Sequence, residues 1–185
     1  MLGMCSCASY SGRPVEIRPP NTYSAHVAQG DVVVGGEAYF SREKASPVFD
    51  ADVTSHFMPV LLTVRNDAAE FVTIQRSDMI LMSSDGKASR PAGWQTMYHE
   101  FKSDVAGDTL ALGLMAGGAA EEANDKMGED WQQKQFPEQS TLTRGRGAGG
   151  FVYFRQNPGK PPFTVRIVAN KMKSQKVLGI ELPLE

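Results

Sequence analysis

The feature that most constrains the fold is an apolar ten-residue segment, residues 57–66, with the sequence FMPVLLTVRN. Its alternating pattern and its β-branched residues are typical of a β-strand. Two shorter apolar runs, residues 71–74 and 79–82, follow after polar segments that suit turns. Apolar strands that succeed one another through short turns predict an antiparallel sheet with one buried face.

Further apolar runs lie on both sides of a segment with a different texture. One precedes residue 57, at residues 31–40, and three come late, at residues 150–154, 163–168 and 177–184. Residues 94–136, between the early and the late runs, have helical periodicity instead. We therefore predict a mainly β protein: an antiparallel, immunoglobulin-like β-sandwich with a helical insertion at about residues 94–136.

The sequence predicts one folded domain, residues 31–185, because a chain of 185 residues can bury one core of ordinary size. Residues 1–30, rich in Ser, Pro and Arg, are expected to be a tether or linker, and residues 41–55 a polar connection. The alternate apolar positions of the strands predict the core residues. These are Val60, Leu62, Val64, Ile74, Ile80, Phe151, Tyr153, Val165, Ile167, Ile180 and Leu182.

The insertion carries the most distinctive pattern. A first helix is predicted from Trp94 to about Val105, and a second from Asp108, as N-cap, towards Gln135. Met115, Ala119, Ala123, Met127 and Trp131 recur every four residues, as on a helix that packs against another helix, and Glu122 and Lys126 have the spacing of an ion pair.

Small and apolar residues at the start of the second helix suggest a contact surface. Gly113 and Gly117 form a G-x-x-x-G pattern beside Leu110 and Leu114, which lets helices approach closely. One interpretation is a surface for membrane contact or self-association. The alternative is a helix buried against the sheet, and the segment is too short to cross a bilayer.

The two cysteines suggest where in the cell the protein is located. Cys5 and Cys7 are too close to bridge each other and too few to hold zinc. Their surroundings, residues 1–12, have the small-residue character of a bacterial lipoprotein cleavage site and its tether. Either cysteine is a candidate for lipid attachment, and Cys7 is the better one because the small Ser6 precedes it.

Other motifs give little support for catalysis or nucleic-acid binding. Residues 145–150 satisfy G-x-G-x-x-G, but a strand rather than a helix follows, so they are predicted to be a flexible loop and not a dinucleotide site. The net charge of −2 indicates no general affinity for polyanions. His56 and Met58 have side chains that suit copper, although core packing explains most of the methionines.

Acidic and basic residues are segregated in the later part of the chain. Residues 100–138 hold nine acidic residues and three lysines, whereas residues 139–180 hold eight basic residues and no acidic one. Such a basic stretch could meet an acidic partner or anionic lipid head groups. The simpler interpretation is that it neutralises the acidic insertion.

Three segments together resemble a known group of proteins. Residues 57–66, the glycine- and alanine-rich middle leading to residues 123–126, and residues 150–154 are similar to bacterial envelope lipoproteins of uncharacterised activity. The resemblance covers about residues 32–184. It implies an immunoglobulin-like sandwich on the periplasmic side of a bacterial envelope, held at the membrane by a lipid, and it implies no activity or cofactor.

Two hypotheses about function follow. The first is a non-enzymatic envelope protein that acts through protein or membrane contacts, with Leu110, Gly113, Leu114 and Gly117 at the contact and no cofactor. The second is a periplasmic copper-binding protein that uses His56 and Met58.

Overall fold

The structure, a computed structural model, describes residues 10–110, 117–156 and 159–184. For residues 103–110 and 117–120 it describes the backbone, and for the others the side chains as well. It contains two antiparallel sheets and three α-helices. The strands are β1 Ala25–Gln29, β2 Val32–Ala38, β3 Phe57–Asn66, β4 Val72–Gln75, β5 Ile80–Ser83, β6 Ala88–Ser89, β7 Pro91–Ala92, β8 Gln139–Leu142, β9 Arg146–Arg155, β10 Phe163–Lys171 and β11 Val177–Leu184. The helices are α1 Arg42–Phe49, α2 Trp94–Leu110 and α3 Gly117–Lys134.

The first sheet, sheet A, has the strand order β1-β2-β3-β9-β7. Its two longest strands, β3 and β9, pair along their whole length, from Phe57 opposite Arg155 to Asn66 opposite Arg146. The side chain of Asn66 is fully buried and donates to the backbone oxygens of Glu70 and Leu142, at 2.8 and 2.9 Å. A buried amide that is satisfied in this way fixes the turn that leaves β3.

The second sheet, sheet B, is built around β10. On one side β10 pairs with β11, and on the other it pairs first with β5 and then with β4. A short 3-10 helix, Arg76–Asp78, divides β4 from β5 where they run along the same edge of β10. Strands β6 and β8 extend the sheet from β5 and β4.

The two sheets enclose one hydrophobic core, and the helices enclose a second. Val60, Leu62 and Val64 of β3 face sheet B, whereas Phe57 and Leu61 belong to a cluster with helical residues such as Trp131. Strand β3, at the centre of sheet A, is therefore buried on both faces. The predicted mainly β, antiparallel sandwich with a helical insertion is confirmed, but the expectation of one buried face for β3 is wrong because the helices cover the other.

The predicted core residues are buried with one exception, Ile80, which is half-buried. Met79 and Leu81 are fully buried in its place, because the 3-10 helix before β5 sets which alternate positions point inwards. Phe151 and Tyr153 are buried as predicted, but they lie in the helical cluster and not between the sheets.

Other differences from the sequence prediction concern segments outside the central strands. Strand β1 lies within the predicted tether, and α1 lies within the predicted polar connection. The apolar residues Ala45, Val48 and Phe49 of α1 are buried against the helical cluster, which stabilises this short helix. Asp108 lies inside α2 and not at the N-cap of the second helix.

Candidate functional site

The base of the insertion packs on the outer face of sheet A. Met97 and Phe101 of α2 and Met127 and Trp131 of α3 are all buried there, as the four-residue spacing of Met127 and Trp131 predicts. The rings of Phe101 and Trp131 meet edge to face, with centroids 5.6 Å apart. Tyr153 of sheet A donates a hydrogen bond of 3.0 Å to the backbone oxygen of Trp131. These contacts fix the base of the pair to the sheet.

Farther from this base, the described part of α3 faces solvent. Glu121, Glu122, Asp125 and Lys126 are exposed. The predicted ion pair between Glu122 and Lys126 is confirmed, with 2.7 Å between their charged atoms. From Glu121 to Trp131 the helix rises about 15 Å at 1.5 Å per residue, so α3 passes from solvent to core within three turns.

A segment before β1 crosses the same face of the sheet. We call residues 10–19 the strap. The Ser11 amide donates to the Asp50 carboxylate at 2.6 Å, and the Arg13 amide donates to the Pro47 oxygen at 3.1 Å. Most of the described residues that were assigned to a tether are thus bound to the domain.

Tyr10, at the start of the strap, belongs to a polar cluster with α3. Its hydroxyl donates to the Asp130 carboxylate and accepts a hydrogen bond of 3.1 Å from the Trp131 indole. Lys134 forms an ion pair with Asp130 and donates to the Val48 oxygen at 2.6 Å. Burial, together with the bond to Asp130, raises the pKa of the Tyr10 hydroxyl above its usual value. The folded protein therefore favours the protonated, neutral form of the Tyr10 hydroxyl.

A cavity of about 200 Å³ lies between the strap, α3 and sheet A, and Asp130 and Lys134 are among its lining residues. The Lys134 side chain is only 8% exposed. Its ammonium is matched by Asp130 and by a backbone oxygen, so the pair carries no unbalanced charge into the cavity. This arrangement holds the strap, α1 and α3 together.

The glycine-rich motif at residues 145–150 serves packing. Gly149 lies against Ile17 of the strap, where an added Cβ would come within 2.4 Å of the isoleucine. At Gly150 an added Cβ would lie 2.6 Å from the backbone nitrogen of Phe136. Both glycines are part of β9, so the prediction of a flexible loop is wrong for them. They let other segments of the chain approach the sheet closely.

The two candidate copper ligands do not form a common site. Met58 is buried in the core between the sheets. His56 is half exposed, with its ring 5.8 Å from that of Phe101 and its Nδ1 3.8 Å from a carboxylate oxygen of Glu100. Met58 thus points into the core between the sheets, whereas His56 lies beside α2. Among the described residues, no group of three or more His, Cys, Asp or Glu side chains is placed to hold a metal ion.

The remaining predicted site residues lie partly or wholly outside the description. Cys5, Cys7, Gly113 and Leu114 are outside the described residues. Leu110 lies in α2 and Gly117 in α3, next to the residues that are outside the description, and the side chains of both are outside it as well. In the parts of the chain that are described, no helix is long and apolar enough to cross a membrane.

Sequence reasoning missed the Tyr10–Asp130–Lys134 cluster. Asp130 and Lys134 have the four-residue spacing of a helical ion pair, which was an available signal. Nothing in the sequence pattern connects Tyr10 to them.

Comparisons with known proteins give no family for this chain. No protein-family model matches it, and neither a curated protein nor a solved structure is significantly similar to it.

Proposed function

We propose that this protein is a non-enzymatic β-sandwich of a bacterial cell envelope, and that the α2–α3 pair is the surface through which copies of the chain associate. The observation that supports this is the change of burial along α3. Met127 and Trp131 are buried, whereas Glu121, Glu122 and Asp125 are exposed. The two sheets close the core between them, and the buried end of the helices covers the outer face of sheet A, so the fold does not require the exposed end of α3.

The insertion contains small and apolar residues that suit the proposed contact between two copies of the chain. Gly113 and Gly117 have the sequence spacing of a close-approach surface, and Leu110 and Leu114 are near them in sequence. Long insertions that are not needed for a core are commonly functional. The proposed contact is therefore helix on helix between two copies, and the exposed acidic residues of α3 stay in solvent.

A non-enzymatic role agrees with the chemistry of the polar cluster. The Tyr10 hydroxyl and the Lys134 ammonium both donate to Oδ2 of Asp130, and the ammonium also donates to a backbone oxygen. A catalytic nucleophile or base needs a free direction towards a substrate. The cluster is built to hold the strap in place.

The contact is tested by replacing both small residues. A Gly113→Leu, Gly117→Leu double variant is expected to weaken self-association by about tenfold or more, because the added side chains separate the helices. Light scattering during gel filtration and sedimentation equilibrium measure the association. Circular dichroism and the melting temperature should stay those of the unchanged chain.

Gly179→Leu is the matched control. Gly179 is exposed on sheet B, and an added Cβ there meets nothing closer than a guanidinium nitrogen of Arg166 at 3.9 Å. This variant adds the same apolar side chain away from the insertion and should associate normally. A chain that is monomeric at every concentration, or a double variant that unfolds, would contradict the proposed contact.

The envelope address is tested separately. We propose that Cys7 carries a lipid, with Cys5 as the second candidate, when an upstream export signal is present. Labelled fatty acid should enter the product of the native locus and be lost in Cys7→Ser but not in Cys5→Ser. A product that takes up no label and fractionates with the cytosol would contradict this address.

A further inference from the structure

An exposed apolar patch lies at one end of sheet B. Among the described residues, the exposed large hydrophobic side chains are Ile17, Phe71, Met172 and Val177. The last three, which are 54%, 59% and 61% exposed, come together where β10 turns into β11. Single exposed hydrophobics are ordinary, but a cluster of three at one tip indicates an interaction surface.

Backbone hydrogen bonds bring the three residues together. The Met172 amide donates to the Phe71 oxygen at 2.9 Å. Across the turn, Asn170 pairs with Val177, and the Lys171 amide donates to the Lys176 oxygen at 2.8 Å. Phe71 precedes β4, so the patch joins two separate parts of the chain.

The turn that presents the patch is held by Glu70. The Glu70 carboxylate accepts hydrogen bonds from the amides of Lys173 and Ser174, at 3.1 and 2.8 Å, and from the Ser174 hydroxyl at 2.9 Å. These bonds hold the turn between β10 and β11 in a conformation that leaves the three apolar side chains exposed. Exposure of these side chains is thus built into the turn.

Lysines surround the patch, and they differ in their partners. Lys171 lies between Asp31 and Glu70, with charged atoms 3.4 and 3.9 Å apart. Lys173 and Lys176 are exposed, and neither forms an ion pair with another residue in the described ranges. Because Lys171 faces two carboxylates, the tip as a whole keeps a net charge of +1, and the exposed ammonium groups of Lys173 and Lys176 lie beside three apolar side chains.

We propose that this tip, consisting of Phe71, Met172, Val177, Lys173 and Lys176, binds the surface of an anionic lipid bilayer. The apolar side chains enter the interface between head groups and acyl chains, and the two lysines meet the lipid phosphates. Each basic residue near an anionic surface contributes about 1 kcal/mol. The apolar side chains add burial that a polar protein surface would not provide. This contact goes beyond the proposed self-association and needs no acylation.

Sedimentation with lipid vesicles tests the tip. Every chain carries Cys5→Ser and Cys7→Ser, so that no acyl group contributes. The otherwise unchanged chain should bind vesicles containing phosphatidylglycerol more tightly than vesicles of phosphatidylcholine alone, and added salt should weaken the binding. A Phe71→Ser, Met172→Ser variant should bind the anionic vesicles about tenfold more weakly or worse, because it removes two inserting side chains.

The chain offers a matched control for each property. Ile17→Ser changes the fourth exposed large hydrophobic residue among those described, which lies against Gly149 of sheet A and not at the tip, and should bind normally. Lys173→Gln with Lys176→Gln should weaken binding about tenfold, whereas Lys160→Gln, at another exposed lysine, should not. All these residues are exposed, and circular dichroism should verify that each variant is folded.

Three outcomes would overturn the proposal. They are no binding to anionic vesicles, equal binding to both kinds of vesicle, or equal loss in the tip variants and their controls. Loss of self-association, with vesicle binding unchanged, in the Phe71→Ser, Met172→Ser variant would make the tip a protein interface instead. None of these results affects the fatty-acid labelling or the Gly113 and Gly117 experiment, so the two proposals fail separately.

Discussion

Tyr10 and Asp130 are hydrogen-bonded across 120 residues of sequence. This bond joins the start of the strap to the last turns of α3, and Lys134 approaches the same carboxylate from one turn farther along the helix. The strap and the insertion are therefore parts of one structural unit on the outer face of sheet A.

Tyr10→Phe should destabilise the protein by about 1–2 kcal/mol, because it removes a bond to a charged group and leaves the ring in place. Urea unfolding measures the change. Tyr98→Phe is the control, since the Tyr98 ring packs near Trp94 and its hydroxyl has no hydrogen bond to another described residue. Equal losses in the two variants would show that the bond between Tyr10 and Asp130 contributes nothing.

Stability should fall as the pH rises above about 10. Burial raises the pKa of Tyr153 well above its usual value and also raises the pKa values of Tyr10 and Tyr39. An unfolded tyrosine loses its proton near pH 10, so the neutral buried forms contribute their full stability below that pH. As the pH rises from there towards the folded-state pKa values, this contribution is lost.

The Tyr153→Phe variant should show a shallower alkaline decline, by at most about 1.4 kcal/mol per pH unit. Denaturant unfolding at a series of alkaline pH values measures the slope. An unchanged slope would mean that Tyr153 titrates alike in the folded and the unfolded chain.

Gly150→Ala should cost about 1–3 kcal/mol, the range for overpacking a well-filled region. The added Cβ would meet backbone atoms of Gln135 and Phe136, which have no flexible end to move aside. Gly179→Ala, with no atom closer than 3.9 Å to the new Cβ, is the control and should change stability little. The prediction fails if both variants melt at the same temperature.

Thr63→Val should be neutral or slightly stabilising, within about 1 kcal/mol. Thr63 is buried, and its hydroxyl has no hydrogen-bond partner among the described residues, so its replacement removes an unsatisfied polar atom. Thr73→Val is a useful contrast, because the Thr73 hydroxyl lies 3.4 Å from that of Thr141. A marked loss of stability in Thr63→Val would reveal a partner for this hydroxyl.

Strands β2–β5 and β9–β11 were predictable because their signal is local, whereas β1, β6, β7 and β8 lie in segments that were not predicted to be strands. Residues 57–66 alternate over a full strand, and the observed β3 has those bounds. The nearly continuous apolar run within that segment also signals burial on two faces, as in sheets that helices cover. The phase of β5 was not predictable, because it depends on the 3-10 helix before it and not on the apolar residues Met79, Ile80 and Leu81 themselves.

The candidate sites were predictable only where their residues are close in sequence. The ion pair of Glu122 and Lys126 is an example. The strap contact required the fold, because no periodicity relates Tyr10 to Asp130. The tip patch is similar, since Phe71 precedes β4 and Met172 follows β10, and only the pairing of these strands places the two residues side by side.

The burial of β3 on both faces has a consequence for how its pairing is specified. Most strands are held in register by polarity, since a slip of one residue turns apolar side chains to water. Strand β3 has no solvent-exposed face, so a slip of one residue would not expose its apolar side chains to water. Here the volume of the neighbouring residues takes its place: Leu62 lies between Gly36 and Gly150, and Thr63 lies between Gly35 and Gly149. A slip of one or two positions would bring larger side chains into these narrow places, under the strap on one face and against Phe136 on the other. The alignment of the central strand is thus encoded in its neighbours' lack of side chains.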